Sequence, residues 1–472
     1  MSYTCDRNLP FHECELALLR NAVDKAENIK GYEEANSVEI KKMIHIVETF
    51  IKDEKLICYG GTAINNILPK NDQFYDMNKE IPDYDFFSSD ALSDAKKLAN
   101  IYAKEGYTEI EAKAGQHYGT YKVFVNFTPI ADITQVNTQL FSTLSKESII
   151  IKGIRYLPPN MLRMSMYLEL SRPAGDISRW EKVLKRLTLL NNNYPLKTHN
   201  CNYNFFSRKI ESPSIDTKKI FYTAKNYLIN NQCVFFGGFA NSIFLSYMNK
   251  SAQRSIQEHP DFDVLSTDAK ETANGLKNTL HDNNIKNVSI LEHKNVDEIV
   301  PVHYQIKVGK DTIAFIYNTI ACYSYNNVIV DKSTIRVATI DTMLSLYLAF
   351  IYTKRNYYDT ERILCMASFL FKIQQKNRLK QKGPLKRFTI NCYGSQATKQ
   401  SMRKEKADKF IELKDKKDSK EYEAWFLNYN PTKDMKKPKK NTTKKTKKAN
   451  KTTTRSSMKN IRKSLKKLLS PL

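Results

Sequence analysis

In the stretch 81-IPDYDFFSSDA-91, Asp83 and Asp85 stand two residues apart in an apolar, aromatic run. Such a run reads as a strand, and residues i and i+2 of a strand point to the same face. Two carboxylates held side by side repel one another unless a cation intervenes. A hard, oxygen-ligated ion such as Mg²⁺, or Mn²⁺ in its place, is the usual one where a phosphate is also bound. A third carboxylate would complete a two-metal site. Asp132 in 129-PIADITQ-135 is the candidate, because an unpaired charge in an apolar strand is costly to bury. Upstream, 57-ICYGGTAINNILP-69 runs from a short apolar strand through Gly60 and Gly61 into a helix that Thr62 is placed to cap. Glycines let backbone N–H groups approach a phosphate, and a helix N-terminus adds partial positive charge. The ordered set describes nucleotidyl transfer from a nucleoside triphosphate to a hydroxyl.

The same phrases return as 233-CVFFGGFANSIFL-245 and 258-EHPDFDVLSTDA-269, and 154-IRYLPPNMLRMSMYLELS-171 has a counterpart in 335-IRVATIDTMLSLYLAFI-351. The offset is 177 for Gly61 and Gly238, 178 for Asp83 and Asp261, and 181 for Ile154 and Ile335. Such constancy implies a tandem duplication of one α/β (α+β) domain with mixed sheets flanked by helices. The second copy keeps Gly237, Gly238, Asp261 and Asp263 but sets Phe239 where the first has Thr62. Aligning 319-TIACYSY-325 with 129-PIADITQ-135 puts Cys322 opposite Asp132. One working site and one degenerate copy are therefore expected.

A chain of 472 residues, 41% hydrophobic and 26% charged, is long enough for two or three domains. The spacing divides it into a lead-in (1–36), a catalytic domain (37–191), a degenerate copy (192–375), a basic, aromatic segment (376–430) and a Lys-rich tail (431–472). Net charge is +25, and Lys433 to Lys467 alone carries 16 Lys or Arg against Asp434. That tail has too little apolar surface to fold, so disorder is expected, and its charge suits a polyanion such as RNA. The segment 372-KIQQKNRLKQKGPLKR-387 has no acid and extends the basic surface, while Tyr393, Trp425 and Tyr429 offer rings for packing or for stacking on bases. No run of 18 apolar residues is present and the N-terminus does not read as a secretory signal, so no membrane partner is expected. The eight cysteines are scattered, without zinc spacing, which reads as free core thiols in a reducing compartment.

GGTAINNIL, PDYDFFS and the strand aspartate of PIADIT resemble the DNA polymerase β-like nucleotidyltransferase superfamily, and within it the poly(A) polymerase catalytic subunits of poxviruses and mimivirus-like giant viruses. The gap of 22 residues from Gly61 to Asp83 agrees with that viral branch, as does 172-RPAGDISRWEKVLKRLTLLN-191. The resemblance spans about residues 35–400. It implies Asp83, Asp85 and Asp132 as metal-binding catalytic residues, Gly60, Gly61 and Thr62 at the ATP triphosphate, and addition of AMP to an RNA 3′-hydroxyl. On a helical wheel of 179–190, Arg179, Lys182, Lys185 and Arg186 share the face opposite Trp180, Val183, Leu184, Leu187 and Leu190. Arg172, Arg179 and Lys182 are the candidates for holding phosphate. The resemblance also implies a virion and host-cytoplasm (viral factory) setting and a possible processivity partner. The extended basic and aromatic surface suggests a homodimer. A CCA-adding, oligoadenylate-type or small-molecule nucleotidyltransferase remains open from the residues alone, as does a non-catalytic RNA-binding scaffold.

Overall fold

The computed structural model describes residues 9–76, 78–198, 201, 216–247 and 260–434. The described residues up to 432 belong to one compact unit. The tail expected to be disordered falls, from residue 435 onward, outside the described residues.

The first sheet grows from short strands whose apolar residues alternate. The lead-in is a helix, α1 (Phe11–Asn36), with only Ala35 buried. Ser37 caps the next helix, α2 (Val38–Asp53), accepting from the Ile40 amide, and Met43, Ile46, Val47, Phe50 and Ile51 form its buried stripe. Then follow β1 (Ile57–Tyr59), α3 (Gly60–Ile67), β2 (Tyr84–Ser88), α4 (Ala91–Lys104), β3 (Ile110–Ala114), β4 (Thr120–Val125), β5 (Thr128–Gln135), α5 (Thr138–Glu147), β6 (Ile149–Ile151), β7 (Ile154–Tyr156), α6 (Pro159–Leu170) and α7 (Trp180–Asn193). GTYKVFVNFTPIADIT is thus two strands, joined by Asn126 and Phe127, both at positive φ as a two-residue hairpin turn requires. Tyr84, Phe86 and Ser88 are buried on one face of β2, where the Tyr84 hydroxyl donates to Glu48 of α2. That alternation leaves Asp85 and Phe87 on the other face.

The second half repeats the order: α8 (Thr217–Asn230), β8 (Val234–Phe236), α9 (Gly237–Phe244), β9 (Phe262–Ser266), α10 (Ala269–Asp282), β10 (Val288–His293), β11 (His303–Val308), β12 (Asp311–Asn318), β13 (Tyr323–Val330), β14 (Ser333–Ala338) and α11 (Ile340–Phe350). Strand order in the first sheet is β3-β4-β5-β2-β1-β7-β6, and in the second β10-β11-β12-β9-β8-β14-β13. The directions agree pair by pair: β2 runs parallel to β5 and antiparallel to β1, as β9 does to β12 and β8. Even the register shift between Val123 and Phe124 has its match between Ile306 and Lys307. The matching helices α6 and α11 pack against each other and join the halves.

The C-terminal segment, which includes α12 (Thr360–Lys376), β15 (Cys392–Tyr393), α13 (Lys399–Leu413), α14 (Lys420–Phe426) and β16 (Asn428–Tyr429), returns to both sheets. β15 adds to β13 at an edge of the second sheet, and β16 adds to β3 at an edge of the first. Each thereby pairs an edge whose N–H and C=O groups would otherwise be open. Tyr393, Trp425 and Tyr429 serve this docking: Tyr393 and Tyr429 sit in the added strands, Tyr429 donates to Asn100 Oδ1, and Trp425 stacks on Tyr118 at 4.4 Å.

The cysteines correct the expectation of free core thiols. Cys201 is bonded to Cys365 and Cys322 to Cys392, while Cys14 is also disulfide-bonded, and among the described residues Cys58 and Cys233 remain as buried free thiols. Sequence separations of 164 and 70 hid these pairs, since chain spacing says nothing of long-range proximity. The inference to a reducing compartment rested on the cysteines being apart and loses that support.

Candidate active site

Three adjacent central strands bring the sequence motifs together. Across β1 and β2, Tyr59 lies opposite Asp85, and across β2 and β5 Asp85 lies opposite Asp132. β1 ends directly in Gly60, whose φ of +73° is one that side-chain-bearing residues rarely adopt. A Cβ there would stand 2.5 Å from Asp85 Oδ2, so glycine is needed both for the turn and for the approach of the carboxylate. Thr62 is not the helix cap, because α3 already begins at Gly60 with Tyr59 as its N-cap residue. Buried instead, its hydroxyl donates to the Asp83 carbonyl oxygen at 2.7 Å and pins the start of β2 to the glycine turn.

The carboxylates feel one another. Burial, then Asp83 and Asp132, push the Asp85 carboxyl up to about 7, with Lys122 and Arg179 working the other way. Burial and Asp132 likewise raise Asp83, against Lys122. Asp132 is ion-paired and hydrogen-bonded to Lys122, its neighbour across β4 and β5. Among the described residues no group of three or more His, Cys, Asp or Glu is placed so as to hold a metal ion as it stands. The chemistry of the donor set nevertheless fits a divalent cation. Asp83 and Asp85, both raised by burial and by the neighbouring Asp132, lack positive charge, and Lys122 supplies only part of it.

The basic helix face delivers a residue outside the predicted binding set. Asn65 Oδ1 accepts from the amides of Phe74 and Tyr75 at 2.8 and 2.9 Å, folding the insertion after α3 back over the site. Arg186 of α7 donates to the Tyr75 hydroxyl at 2.7 Å, and its guanidinium lies 4.7 Å from the Phe74 ring centre. A Cβ on Gly61 would stand 2.9 Å from an Arg186 nitrogen, so the guanidinium covers the glycine turn. Of the predicted set, Arg179 is ion-paired to Glu169 at 3.1 Å and close enough to act on Asp85. Lys182 is exposed on the same helix. Arg172 lies in the crevice between the halves, with its Nε buried and without a hydrogen-bond partner. The shared basic face pointed to Arg186, but not which of its four cations would reach the turn. Nothing in the spacing marked Lys122.

In the second half the same constellation is closed. Gly237 repeats the positive φ at +70°, and Asp263 lies opposite Phe236 as Asp85 lies opposite Tyr59. Asp261 and Asp263 are buried at 1% and 8% exposure. Phe239 packs with Phe221, Phe235 and Phe262, filling the region over the turn. The residue opposite Asp263 on β12 is Phe315, so Phe315, not Cys322, is the counterpart of Asp132. Cys322 lies seven residues further on, just before β13. The offset from Asp132 to Phe315 is 183, close to the 177–181 of the other matches, whereas Cys322 required 190. That discrepancy was a usable signal, and 311-DTIAFIYN-318 beside 128-TPIADITQ-135 carries it.

Residues 45–176 match the family of the poly(A) polymerase catalytic subunit. A provisionally named poly(A) polymerase catalytic subunit of Acanthamoeba polyphaga mimivirus is 32% identical over 186 residues, 38% of this chain and 30% of that protein. Its provisionally named counterpart in African swine fever virus (Tick/Malawi isolate) is 31% identical over 180 residues, 37% of this chain and 38% of that protein. The matched stretch thus spans well under half the length of these curated relatives. The crystal structure of the Megavirus polyadenylate synthase superposes with a TM-score of 0.76 at 22% identity, covering 92% of this chain and 88% of that one. The fold is that of the synthase, and the resemblance read from the motifs holds over the segment that carries them.

Proposed function

We propose that the protein is a template-independent poly(A) polymerase that transfers AMP from ATP to the 3′-hydroxyl of an RNA. The carrying observation is the convergence of Asp85 and Asp132, opposite one another on adjacent strands, with the Gly60–Gly61 turn and the Arg186 guanidinium. In the reaction the 3′-oxygen bonds to the α-phosphorus, the bond from that phosphorus to the bridging oxygen breaks, and pyrophosphate leaves. Asp83, Asp85 and Asp132 would hold divalent metal, Mg²⁺ or Mn²⁺, which when bound supplies charge for the triphosphate and lowers the pKa of the attacking hydroxyl. The backbone N–H groups of the Gly60–Gly61 turn, beside the Arg186 guanidinium, would meet phosphate oxygens. Arg186, braced by Tyr75 and Phe74, presents a planar donor pair to the same region. Lys122, ion-paired to Asp132, holds that carboxylate in place before substrate arrives.

The two halves derive from tandem duplication, as their matched strand order suggests, with 37–191 catalytic and 192–375 degenerate. Phe315 and Phe239, standing where Asp132 and Thr62 stand, support the second part of that reading. RNA would run between the halves and over the basic segment 372–387, and the charge of the tail suits its phosphates. Self-association as a homodimer, a separate processivity partner, and a virion or host-cytoplasm setting belong to the same reading and rest on the viral relatives and the basic surface.

The test incubates the full chain with a labelled oligoribonucleotide, Mg²⁺ or Mn²⁺, and each NTP in turn, beside Asp83→Ala/Asp85→Ala and Asp261→Ala/Asp263→Ala. Long extension with ATP, lost in the first double variant and kept in the folded fraction of the second, is expected. Extension that halts after a few nucleotides would favour a CCA-adding or oligoadenylate activity. No extension with any NTP would leave an RNA-binding scaffold.

A further inference from the structure

A second cavity, of about 610 Å³, opens between α7 and the end of α12 with the loop that follows it. Arg186 faces the glycine turn, whereas Thr188 and Asn191 line this cavity. At 100° per residue these two are turned roughly 140–160° away from Arg186 around α7, so the cavity lies behind the helix that covers the active site. Its walls combine an apolar surface with a cluster of side-chain amides. Asn191, Asn192, Gln374, Gln375, Asn377 and Gln381 supply amides, no carboxylate lines it, and Arg378 supplies positive charge, Arg387 being ion-paired to Asp341. Leu184, Leu385 and Phe371 give the apolar remainder.

Two observations mark it as built for a ligand. Gln374 Nε2 is buried there with no hydrogen-bond partner, and a buried polar group left unpaired is costly. Phe388, also in the lining, is held at a φ of +50° while its ring stays 40% exposed beside Trp180, 5.7 Å away. A bulky residue kept in that region is an outlier that the surrounding structure must enforce. The amides of Asn192, Gln374 and Gln375 suit the donor and acceptor edge of a planar heterocycle, the exposed part of the Phe388 ring can stack on it, and arginine meets its phosphate. The size suits one nucleotide.

The geometry points to a subsite for one nucleotide of the RNA strand, upstream of its 3′ end, with the base inside the cavity and its phosphate at Arg378. This inference rests on the RNA-extending reading above. It adds an anchor that holds the growing strand by a base rather than by backbone charge alone.

The test is an abasic scan. Single abasic sites are moved along a 5′-labelled oligoribonucleotide, and affinity is read by fluorescence anisotropy with the wild-type chain, Thr188→Trp and Gln374→Leu. Thr188 is exposed at the rim, and its hydroxyl bonds only within its own helix, so tryptophan fills the cavity without opening the core. In the wild type, an abasic site at one upstream position should weaken binding by about 10-fold, the loss expected for one stacked base. Thr188→Trp should bind intact RNA about 10-fold more weakly and show no further loss at that position. Gln374→Leu should move the same way by less. In extension assays both variants should raise the KM for RNA and leave kcat at saturating RNA unchanged. A flat abasic profile in an enzyme that does extend RNA overturns the subsite alone, as does unchanged RNA affinity in Thr188→Trp. Failure of the wild type to bind or extend any RNA overturns the function and the subsite together.

Discussion

Replacing Gly60 with alanine tests the geometry of the site more sharply than removing a carboxylate. Two costs are separable. At a φ of +73° any L side chain is strained, by about 1–2 kcal/mol. The new Cβ would also stand 2.5 Å from Asp85 Oδ2 and 3.3 Å from its Cγ. Ordinary contact distances are about 3.5 Å, so the carboxylate must retreat by roughly 1 Å. A displacement of that size in a reacting group costs about 100-fold in rate. Gly106 provides the control: its φ is +94°, and a Cβ there meets nothing within 4 Å. Gly106→Ala should lose similar stability by thermal melt yet extend RNA normally. Gly60→Ala should melt slightly lower than Gly106→Ala and extend about 100-fold more slowly with ATP. Gly237→Ala, which crowds Asp263, should lose stability and keep its rate per folded molecule. A folded Gly60→Ala enzyme working at the wild-type rate would refute the placement of Asp85 in the reaction. A Gly106→Ala enzyme equally impaired would show that backbone strain alone explains the loss.

Two other expectations concern the second half. His303 is fully buried between the Pro301 carbonyl at 2.9 Å and the Tyr357 hydroxyl at 2.7 Å, and burial, with His293 and Arg355 adding to it, lowers its pKa to about 4. The unfolded chain takes up this proton below about pH 6.5 and the folded chain only below about 4. The unfolded state therefore binds more protons in that window, and stability falls as pH drops through it. From pH 7 to pH 5 the loss should be about 2 kcal/mol in urea melts, and His303→Gln should flatten that part of the slope; an unchanged slope would refute the assignment. Arg387 is ion-paired to Asp341, with side chains 18% and 2% exposed. Arg387→Ala should cost about 3–5 kcal/mol by stranding the aspartate, whereas Arg387→Met with Asp341→Asn should cost less than that single change. Equal losses in urea melts would show that the pair is not coupled.

Much of the site was legible before any tertiary information. Alternation in PDYDFFS set Asp85 on the face opposite Tyr84 and Phe86, and the glycine pair placed the turn, because both are local consequences of backbone geometry. The repeated phrases likewise announced two sheets of one design. What the chain could not announce were contacts made across long separations. Phe315 replaces Cys322 as the partner of Asp263 because the segment leading to β12 differs in length from that leading to β5, and only strand pairing reveals the register. Arg186 reaches the glycine turn because Asn65 folds the insertion back, and Lys122 meets Asp132 because β4 lies beside β5. The disulfides, the two strands that the C-terminal segment lends to the sheet edges, and the amide-lined cavity behind α7 are of the same kind. Sequence by itself singled out the residues able to carry the chemistry, since residue type and short spacing suffice for that. Tertiary structure alone decided which cations meet the carboxylates and which of the two halves stays open, since those depend on what packing brings from elsewhere in the chain.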